Sequence, residues 1–361
     1  MGIRVLHIRS TIGMYGAEHV ALNLMKQAKI NGDHYALVCI EGLTPGSELL
    51  AQRVDGIAQH VYRFITAKKL DFSVIREIRK LLSGYDVVHT HDYKSLMYVC
   101  IARLFLKKPD VFHHIHGALG NSRMERIYAR IEKFLLRFVD GVVTVSDLQR
   151  NTLSQYVKSP SRISQIDNGV FVPAISDHAI PQKTLQIVMV ARFTPEKDHK
   201  TALDVLHGLL NQGVAAHLTL LGDGPLVEEV KNYALSLDLS SSVTFVGFTQ
   251  DVTSWLKRSD VLLITSKTEG MPMAMLEAMA ASLVIVSTPV GQIPDIIHKA
   301  ACGSLSSDTQ SLTQQLVYIS QHPDIAWQWG QNGHQFALNN FSVSRQITDI
   351  HSFYKVAAAA C

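Results

Sequence analysis

The sequence is poor in the features that mark secreted, membrane-spanning and zinc-binding chains. It has four cysteines, Cys39, Cys100, Cys302 and Cys361, and no Cys-x-x-Cys pair, so we expect neither a disulfide framework nor a cysteine zinc site. Its apolar runs are strand-sized, and none approaches the ~20 residues of a membrane-spanning helix. The first residues lack a basic segment followed by a long apolar core. We therefore expect an initial strand rather than a signal peptide, and a reducing, cytoplasmic setting.

Charged residues are also few, at 18% of the 361 residues, and they are unevenly divided along the chain. Residues 1–175 carry a balance of +8 and residues 176–361 a balance of −5, which gives the net charge of +3. A basic half suits an anionic partner, such as a membrane face or a nucleic acid. We expect no nucleic acid, because the chain has no recognisable helix-turn-helix or zinc finger and no aromatic residues interleaved with basic ones.

What the chain does have is a regular alternation of short apolar runs with helix-length segments. The predicted strands are residues 3–9, 35–40, 87–90, 111–116, 141–146, 186–191, 216–221, 243–246, 261–265 and 284–287. Most are apolar without alternation, which is typical of parallel strands buried on both faces. The alternation pauses at residues 171–183, which contain two prolines and indicate a linker. The sequence therefore predicts an α/β protein with two doubly wound, Rossmann-like domains.

The strongest motif runs from Thr268 to Ala280 and contains two carboxylates eight residues apart, Glu269 and Glu277. It follows a predicted strand, turns at Gly270 and Pro272, and continues as a predicted helix. Backbone N–H groups at a helix start bind phosphate or sugar oxygens, and carboxylates accept hydrogen bonds from sugar hydroxyls. The alternative is that one glutamate is an ordinary turn residue and the other an ordinary solvated helix residue.

This string, a Glu-x7-Glu with Gly-Met-Pro inside it, closely resembles the signature of retaining glycosyltransferases with the GT-B fold, in particular family 4. Other family features follow in the expected order over nearly the whole chain. They are Gly13-Met14-Tyr15-Gly16-Ala17-Glu18, His91-Asp92, His116-Gly117, Val145-Ser146, Asn168-Gly169-Val170, residues 191–198, Gly222-Asp223-Gly224-Pro225, Gly247-Phe248 and residues 289–295. Tyr15 stands where the family usually has a glycine, and Gln292 and Asp295 are also departures.

The resemblance implies two domains that face each other across a cleft. Residues 1–172 would bind the acceptor, residues 184–340 the nucleotide-sugar donor, and residues 341–361 would form a helix that crosses back to the first domain. It also implies retention of anomeric configuration by a same-face displacement. The expected reaction moves a sugar from a UDP- or GDP-sugar to a hydroxyl of a lipid-linked glycan or lipopolysaccharide precursor, at the inner face of the cytoplasmic membrane.

The residue roles come from the same resemblance. Arg192 and Lys197 would stabilise the departing diphosphate, since guanidinium and ammonium groups suit developing negative charge, and no metal or other cofactor is expected. Without the resemblance, Arg192 and Lys197 would be interpreted as surface residues that form ordinary salt bridges. Glu269 would hold the transferred sugar, Glu277 the ribose hydroxyls, and His116 would lie near the sugar. The other donor-binding candidates are Gly16, Gly222, Asp223, Gly224, Phe248, Gly270, Met271, Pro272 and Met273.

Histidines cluster at two predicted strand ends. They are His89, His91, His113, His114 and His116. Imidazole is a common zinc ligand, but no cysteine and no acid that could orient these rings lies nearby in sequence, so we expect no metal site. The resemblance makes His91 a weaker candidate than His116 for contact with sugar or acceptor.

A basic stripe runs along the helix predicted at residues 122–138. Its basic residues are Arg123, Arg126, Arg130, Lys133 and Arg137, and an apolar stripe of Met124, Ile127, Tyr128, Ile131, Leu135 and Phe138 lies beside it. Such a helix suits an anionic bilayer surface. Alternatively, the apolar stripe packs on the sheet and the basic residues are solvated.

Two other functions remain open from the sequence. One is a nucleotide-sugar epimerase of the same fold, and the other is a subunit that binds sugar nucleotides without catalysis. The epimerase would not be expected to carry the string from Glu269 to Glu277. The non-catalytic subunit would have no need to keep both glutamates together with Arg192 and Lys197.

Overall fold

The computed structural model describes residues 3–11, 13–116, 123–173 and 184–359. Two compact units divide the chain: unit 1 is Met1–Gly169 with Val343–Cys361, and unit 2 is Val170–Ser342. The domain limits drawn from the sequence stay predictions. Gly117, Ser122 and most of the expected linker at 171–183 lie outside the described residues.

Within its described residues, unit 1 is built on a seven-stranded sheet with the order β3-β2-β1-β4-β5-β6-β7. The strands are β1 (Arg4–Thr11), β2 (His34–Glu41), β3 (His60–Ile65), β4 (Val87–Thr90), β5 (Asp110–Ile115), β6 (Gly141–Thr144) and β7 (Ile163–Gln165). The helices are α1 (Gly16–Asn31), α2 (Leu49–Val54), α3 (Phe72–Leu82), α4 (Tyr93–Ala102), α5 (Arg123–Leu135), α6 (Asp147–Leu153) and the C-terminal α14 (Val343–Ala359). Helix α14 packs against α1 and β6.

Unit 2 is built on a six-stranded sheet, again within its described residues, with the order β10-β9-β8-β11-β12-β13. The strands are β8 (Leu185–Val190), β9 (Ala216–Leu221), β10 (Val243–Gly247), β11 (Val261–Ile264), β12 (Val284–Ser287) and β13 (Gly303–Leu305). The helices are α7 (His199–Asn211), α8 (Val227–Ser236), α9 (Val252–Leu256), α10 (Met273–Ala280), α11 (Ile293–Ala300), α12 (Thr309–Gln321) and α13 (Pro323–Asn340).

Every strand pair in both sheets is parallel, so the doubly wound α/β class predicted from the sequence is confirmed. Strand β8 shows why the central residues of these strands are apolar. Ile187 and Met189 pack into the core on one face of the sheet, and Val188 packs into the core on the other. Helices cover both faces of this sheet, so apolar side chains on either face are buried.

All ten predicted strands are present, with ends shifted by up to two residues. The sequence missed three strands, β3, β7 and β13, and each of them is an edge strand. Strands β7 and β13 have three residues each, and β3 is only half-buried along its length. Such segments lack the continuous apolar run that identifies a central strand.

The two faces of the unit 1 sheet differ in chemistry. Leu6 and Ile8 of β1 point into an apolar core beneath α3 and α4. His7, between them, points to the opposite face, where it stacks on His89 of β4 with ring centroids 5.0 Å apart. The parallel register places these two residues directly opposite each other. The second face is therefore lined by imidazoles near the carboxyl ends of the strands.

Candidate active site

In unit 2, the loop after β11 places Glu269 against Lys197 of the loop after β8. Lys197 Nζ lies 2.5 Å from Glu269 Oε1, and the Ser266 hydroxyl donates to the same oxygen at 2.7 Å. The lysine and glutamate side chains are only 18% and 11% exposed. The structure thus brings together two of the predicted catalytic residues, 72 positions apart in sequence, because β8 and β11 are neighbours in the sheet.

Arg192 lies at the start of the same loop after β8. Its guanidinium is about half exposed and lies 3.4 Å from Glu196 Oε1. The backbone carbonyl of Glu196 accepts a hydrogen bond from Lys267 N at 2.8 Å, and the Thr265 hydroxyl donates to the carbonyl of Lys197 at 3.1 Å. These bonds tie the loop that carries both cations to the loop that carries Glu269.

The loop after β12 supports Glu269 from the other side. Gln292 N donates to the Gly270 carbonyl at 3.1 Å, and Gly291 has the left-handed φ of 59°. A β-carbon at Gly291 would clash with the carbonyl of Glu269 and would lie 2.6 Å from the carbonyl of Gly270. Glycine is therefore required here both by conformation and by close packing. The family resemblance included this motif but gave it no role in holding Glu269.

The glycines of the loop after β9 are also explained by packing between loops. Gly222 and Gly224 have φ of 139° and 158°, and β-carbons there would clash with the backbone of Ala191 and lie 2.6 Å from the carbonyl of Phe193. Phe193 N donates to the Asp223 carbonyl at 3.0 Å. Because Gly222 and Gly224 have no β-carbon, this loop can pack directly against the loop after β8.

Glu277 lies one turn inside α10 and is half-buried. Burial raises the pKa of its carboxyl from 4.5 to about 7. Among the described residues, none donates a hydrogen bond to it, and no side chain caps the first N–H groups of α10. A half-buried carboxyl without a donor is suited to accept hydrogen bonds from hydroxyls of a ligand.

The remaining donor candidates differ in what their side chains can do. Met271 is buried in the apolar core, so it could contact a ligand only through backbone groups, whereas Met273 packs against that core and is half-buried. Pro272 is the residue before the first turn of α10. Phe248, directly after β10, leaves 47% of its surface exposed, which is available for stacking.

In unit 1, His116 is one end of a hydrogen-bonded chain of three imidazoles. His116 Nε2 lies 2.9 Å from His91 Nδ1, and His91 Nε2 lies 2.8 Å from His7 Nδ1. Desolvation lowers the pKa of all three, that of His7 to about 3, so they are neutral at pH 7. Each link has one proton, so the tautomers of the three rings are set together. Because the three histidines lie in different segments of the sequence, this chain could not be predicted.

Three histidines of the same face approach the spacing of metal ligands. Nitrogen atoms of His89, His91 and His114 lie within 4.8 Å of one another. Both nitrogens of His91 are already engaged with His7 and His116, so a cation at this place would have to displace one of those hydrogen bonds. On the opposite face of β5, His113 Nε2 lies 3.2 Å from Glu132 Oε1.

The glycine-rich loop after β1 is organised by Glu18. The Glu18 carboxylate is buried, accepts a hydrogen bond from Tyr15 N at 3.1 Å and lies 2.7 Å from the Arg9 guanidinium. Gly16 is the first residue of α1. The Tyr15 ring lies over Gly13, where a β-carbon would be 2.9 Å from it. The tyrosine at position 15, where the family usually has a glycine, is therefore accommodated because Gly13 has no side chain. Arg9 is a residue that the sequence motifs did not single out.

Two family models match this chain, one on each half. The model described as Glycosyltransferase Family 4 matches residues 14–172, and the model described as Glycosyl transferases group 1 matches residues 174–336. The chain belongs to glycosyltransferase family 4. It is therefore a glycosyltransferase, which decides against both the epimerase and the non-catalytic subunit.

Similar proteins support the same class. The UDP-Gal:alpha-D-GlcNAc-diphosphoundecaprenol alpha-1,3-galactosyltransferase of Escherichia coli is 23% identical over 98% of this chain and 96% of its own length. Anabaena HepE in complex with UDP superposes with a TM-score of 0.82 at 17% identity, over 98% of this chain and 100% of that one. The lipopolysaccharide outer core galactosyltransferase WaaB superposes with a TM-score of 0.69 at 18% identity, over 99% of both chains. The GT-B fold predicted from the sequence is confirmed.

Proposed function

We propose that this glycosyltransferase retains anomeric configuration and moves a sugar from a UDP-sugar to a hydroxyl of a lipid-linked glycan precursor. The named donor of the Escherichia coli relative and the UDP bound to Anabaena HepE support uridine over guanosine. The diphosphoundecaprenol in the relative's name supports a lipid-linked acceptor. The product would be a precursor of a surface polysaccharide or lipopolysaccharide.

The contact between Lys197 and Glu269 is the observation that carries the proposal. The Lys197 ammonium group lies 2.5 Å from Glu269 Oε1 and neutralises the carboxylate. A bound diphosphate would share the Lys197 charge, and the Glu269 oxygens would then be open to hydroxyls of the sugar beside it. Arg192, on the same loop, would add a planar fork to the phosphate. One compact group of residues could thus bind both parts of a donor.

The proposed reaction is a displacement on one face of the sugar. The bond between the anomeric carbon and the phosphate oxygen breaks, and the acceptor oxygen forms the new bond on the same face of the sugar. The acceptor's proton passes to the departing phosphate, which acts as the base. Arg192 and Lys197 stabilise the charge that develops on the diphosphate. These two cations would make a bound metal unnecessary, so we propose that activity survives a chelator.

The other predicted residues would complete the donor site. Glu277 would accept hydrogen bonds from the ribose hydroxyls, and Phe248 would lie beside the nucleotide. The glycine loops would place backbone groups near the diphosphate. By the family resemblance, His116 would form a hydrogen bond with sugar or acceptor, and Gly16 would contact acceptor or phosphate.

A lipid-linked acceptor would bring the enzyme to the inner face of the cytoplasmic membrane. No helix among the described residues is both long enough and apolar enough to span a bilayer. The basic residues of α5 and the short helical turn that follows it would face anionic headgroups. They are Arg123, Arg126, Arg130, Lys133 and Arg137.

The test is a donor panel measured by thermal shift and by nucleotide release, with chelator present. We expect one UDP-sugar to raise Tm and to be turned over, with the product's anomeric configuration, read by NMR, matching the donor's. Arg192→Ala should lower turnover ~100-fold or more, whereas Lys231→Ala, a surface lysine on α8, should leave it unchanged. Inversion at the anomeric carbon, or activity lost with chelator and restored by metal, would contradict the proposal.

A further inference from the structure

The loop between α4 and β5 holds an aromatic side chain almost wholly in solvent. Phe105 is 99% exposed, and its neighbours Leu104 and Leu106 are 54% and 37% exposed. Phe105 also has the left-handed φ of 67°, which is uncommon for a bulky residue and unfavourable in energy. Three consecutive exposed apolar residues, one of them in a costly backbone conformation, indicate a contact with something outside the chain.

The exposure of Phe105 is imposed by a well-bonded loop. Arg79 Nη1 donates to the carbonyls of Ala102 at 2.6 Å and Leu104 at 2.9 Å. Leu106 N donates to the Arg103 carbonyl at 2.8 Å, and Arg103 Nη2 donates to the Lys107 carbonyl at 3.3 Å. Hydrogen bonds therefore fix the loop on both sides of the phenylalanine, and its ring projects from a rigid base.

Arg103 also connects this loop to a second group of exposed apolar residues. Arg103 Nη1 donates to the Phe138 carbonyl at 3.4 Å, and Arg103 is also paired with Asp140 at 2.8 Å. Phe138, just beyond α5, is 52% exposed, and Phe134 on α5 is 55% exposed. Further along α5, the exposed apolar residues are Met124, Ile127 and Ile131. Much of the helix's apolar stripe therefore does not pack on the sheet.

Exposed basic residues lie in the same segments as both apolar groups. The exposed basic residues are Lys107, Lys108, Arg123, Arg126, Arg130 and Arg137. Among the described acids of these segments, Asp110 and Asp140 are buried and paired with Lys108 and Arg103, and Glu132 is half-buried against His113. The outer surface is thus apolar and cationic together, the combination that anionic lipid headgroups and acyl chains recognise.

We propose that these residues form one bilayer-docking surface, in which Phe105 and its leucines insert below the headgroups while the basic residues of the loop and of α5 bind anionic lipid. The inference deepens the proposed function, on which it rests for the lipid-linked acceptor. It adds Phe105 as a specific membrane anchor, which the basic residues of α5 alone do not indicate. It also gives a reason for the left-handed conformation of Phe105, since a rigid turn presents the ring at the tip of the loop.

The experiment is flotation of the full chain with vesicles of phosphatidylcholine alone, or mixed about three to one with phosphatidylglycerol. Asparagine tolerates the left-handed conformation, so Phe105→Asn removes the ring and keeps the turn. Phe72→Asn is the matched control, because Phe72 is 70% exposed and lies at the end of α3 away from Arg79. We expect binding to the anionic vesicles only, weakened roughly 10-fold or more by Phe105→Asn and unchanged by Phe72→Asn.

A second measurement reports insertion directly. Tryptophan in place of Phe105 should be quenched by lipids brominated on the acyl chain, whereas tryptophan in place of Phe72 should not. Equal effects at both positions, or no binding to anionic vesicles, would overturn the proposal. A dimer in solution that Phe105→Asn dissociates would assign the loop to a second copy of the chain instead.

Donor hydrolysis in solution keeps this proposal separate from the proposed function. The reaction with a water-soluble donor needs no bilayer, and the loop lies outside the candidate site. Phe105→Asn should therefore hydrolyse donor at the wild-type rate. If donor hydrolysis is absent from the wild type while vesicle binding persists, the proposed function fails and the docking surface stands.

Discussion

Replacing Lys197 by methionine tests whether the contact with Glu269 is part of the chemistry. Lys197 Nζ and Glu269 Oε1 are 2.5 Å apart, and both side chains are largely buried. Methionine keeps the apolar length of the side chain and removes the charge. The glutamate would then keep one described partner, the Ser266 hydroxyl at 2.7 Å. A buried carboxylate stripped of its cation is costly to the folded state.

The size of the effect can be estimated from these contacts. Breaking a buried ion pair by removing one partner costs about 3 kcal/mol or more of unfolding free energy. Losing a hydrogen bond from a charged donor to the diphosphate costs roughly 1.5–3 kcal/mol, which is about 10- to 150-fold in affinity. Losing electrostatic stabilisation of the leaving group costs a further ~100-fold or more in kcat. Lys197→Met should therefore be both less stable and almost inactive.

Urea unfolding and nucleotide release measure the two effects separately. The double variant Lys197→Met/Glu269→Gln removes the stranded charge, so it should recover most of the lost stability while turnover stays low. Lys197→Arg keeps a cation and should retain part of the activity. If Lys197→Met unfolds more easily yet turns over donor within a few-fold of wild type, the pair is structural and the proposed role of Lys197 is wrong.

Two further predictions concern the loop after β12 and the helix after Glu269. Gly291→Ala should weaken donor binding strongly, because its β-carbon would push against the carbonyls of Glu269 and Gly270; Gly213→Ala, at a similar φ of 77° with nothing within 4 Å, should cost only backbone strain of about 1 kcal/mol in urea unfolding. Glu277 has a folded-state pKa raised by burial from 4.5 to about 7, so its protonated form stabilises the fold at low pH. The unfolding free energy of wild type, relative to Glu277→Gln, should fall as pH rises from about 4.5 to about 7 and level off above; a difference independent of pH would refute that shift.

The central strands were predictable because their physical cause is local. A parallel strand covered on both faces is mostly apolar, and the run from Val261 to Ile264, Val-Leu-Leu-Ile, shows this pattern directly in the sequence. The edge strands β3, β7 and β13 pair on one side only, so their sequences are free to be short and mixed. Nothing in those segments by themselves distinguishes them from loops.

Helix α5 shows where a local pattern leaves two outcomes open. Its apolar and basic stripes fit equally well a helix packed on the sheet and a helix facing lipid. In the structure, Tyr128 stacks on Tyr93 at 4.4 Å between ring centroids, while Met124, Ile127 and Ile131 stay exposed. Which apolar residues are covered depends on neighbouring elements, and periodicity within the helix does not contain that information.

The sequence alone determined the two parallel α/β units, the family and the loops that carry the candidate residues, because each of these rests on short local patterns. The tertiary structure alone decided which of those residues meet. Lys197 reaches Glu269 because the chain places β11 beside β8, so the loops that follow the two strands end at the same edge of the sheet. The chain from His7 through His91 to His116 likewise depends on the adjacency of β1, β4 and β5. Strand order is a global outcome of packing two helical layers on a sheet, and it joins side chains that sequence spacing keeps far apart.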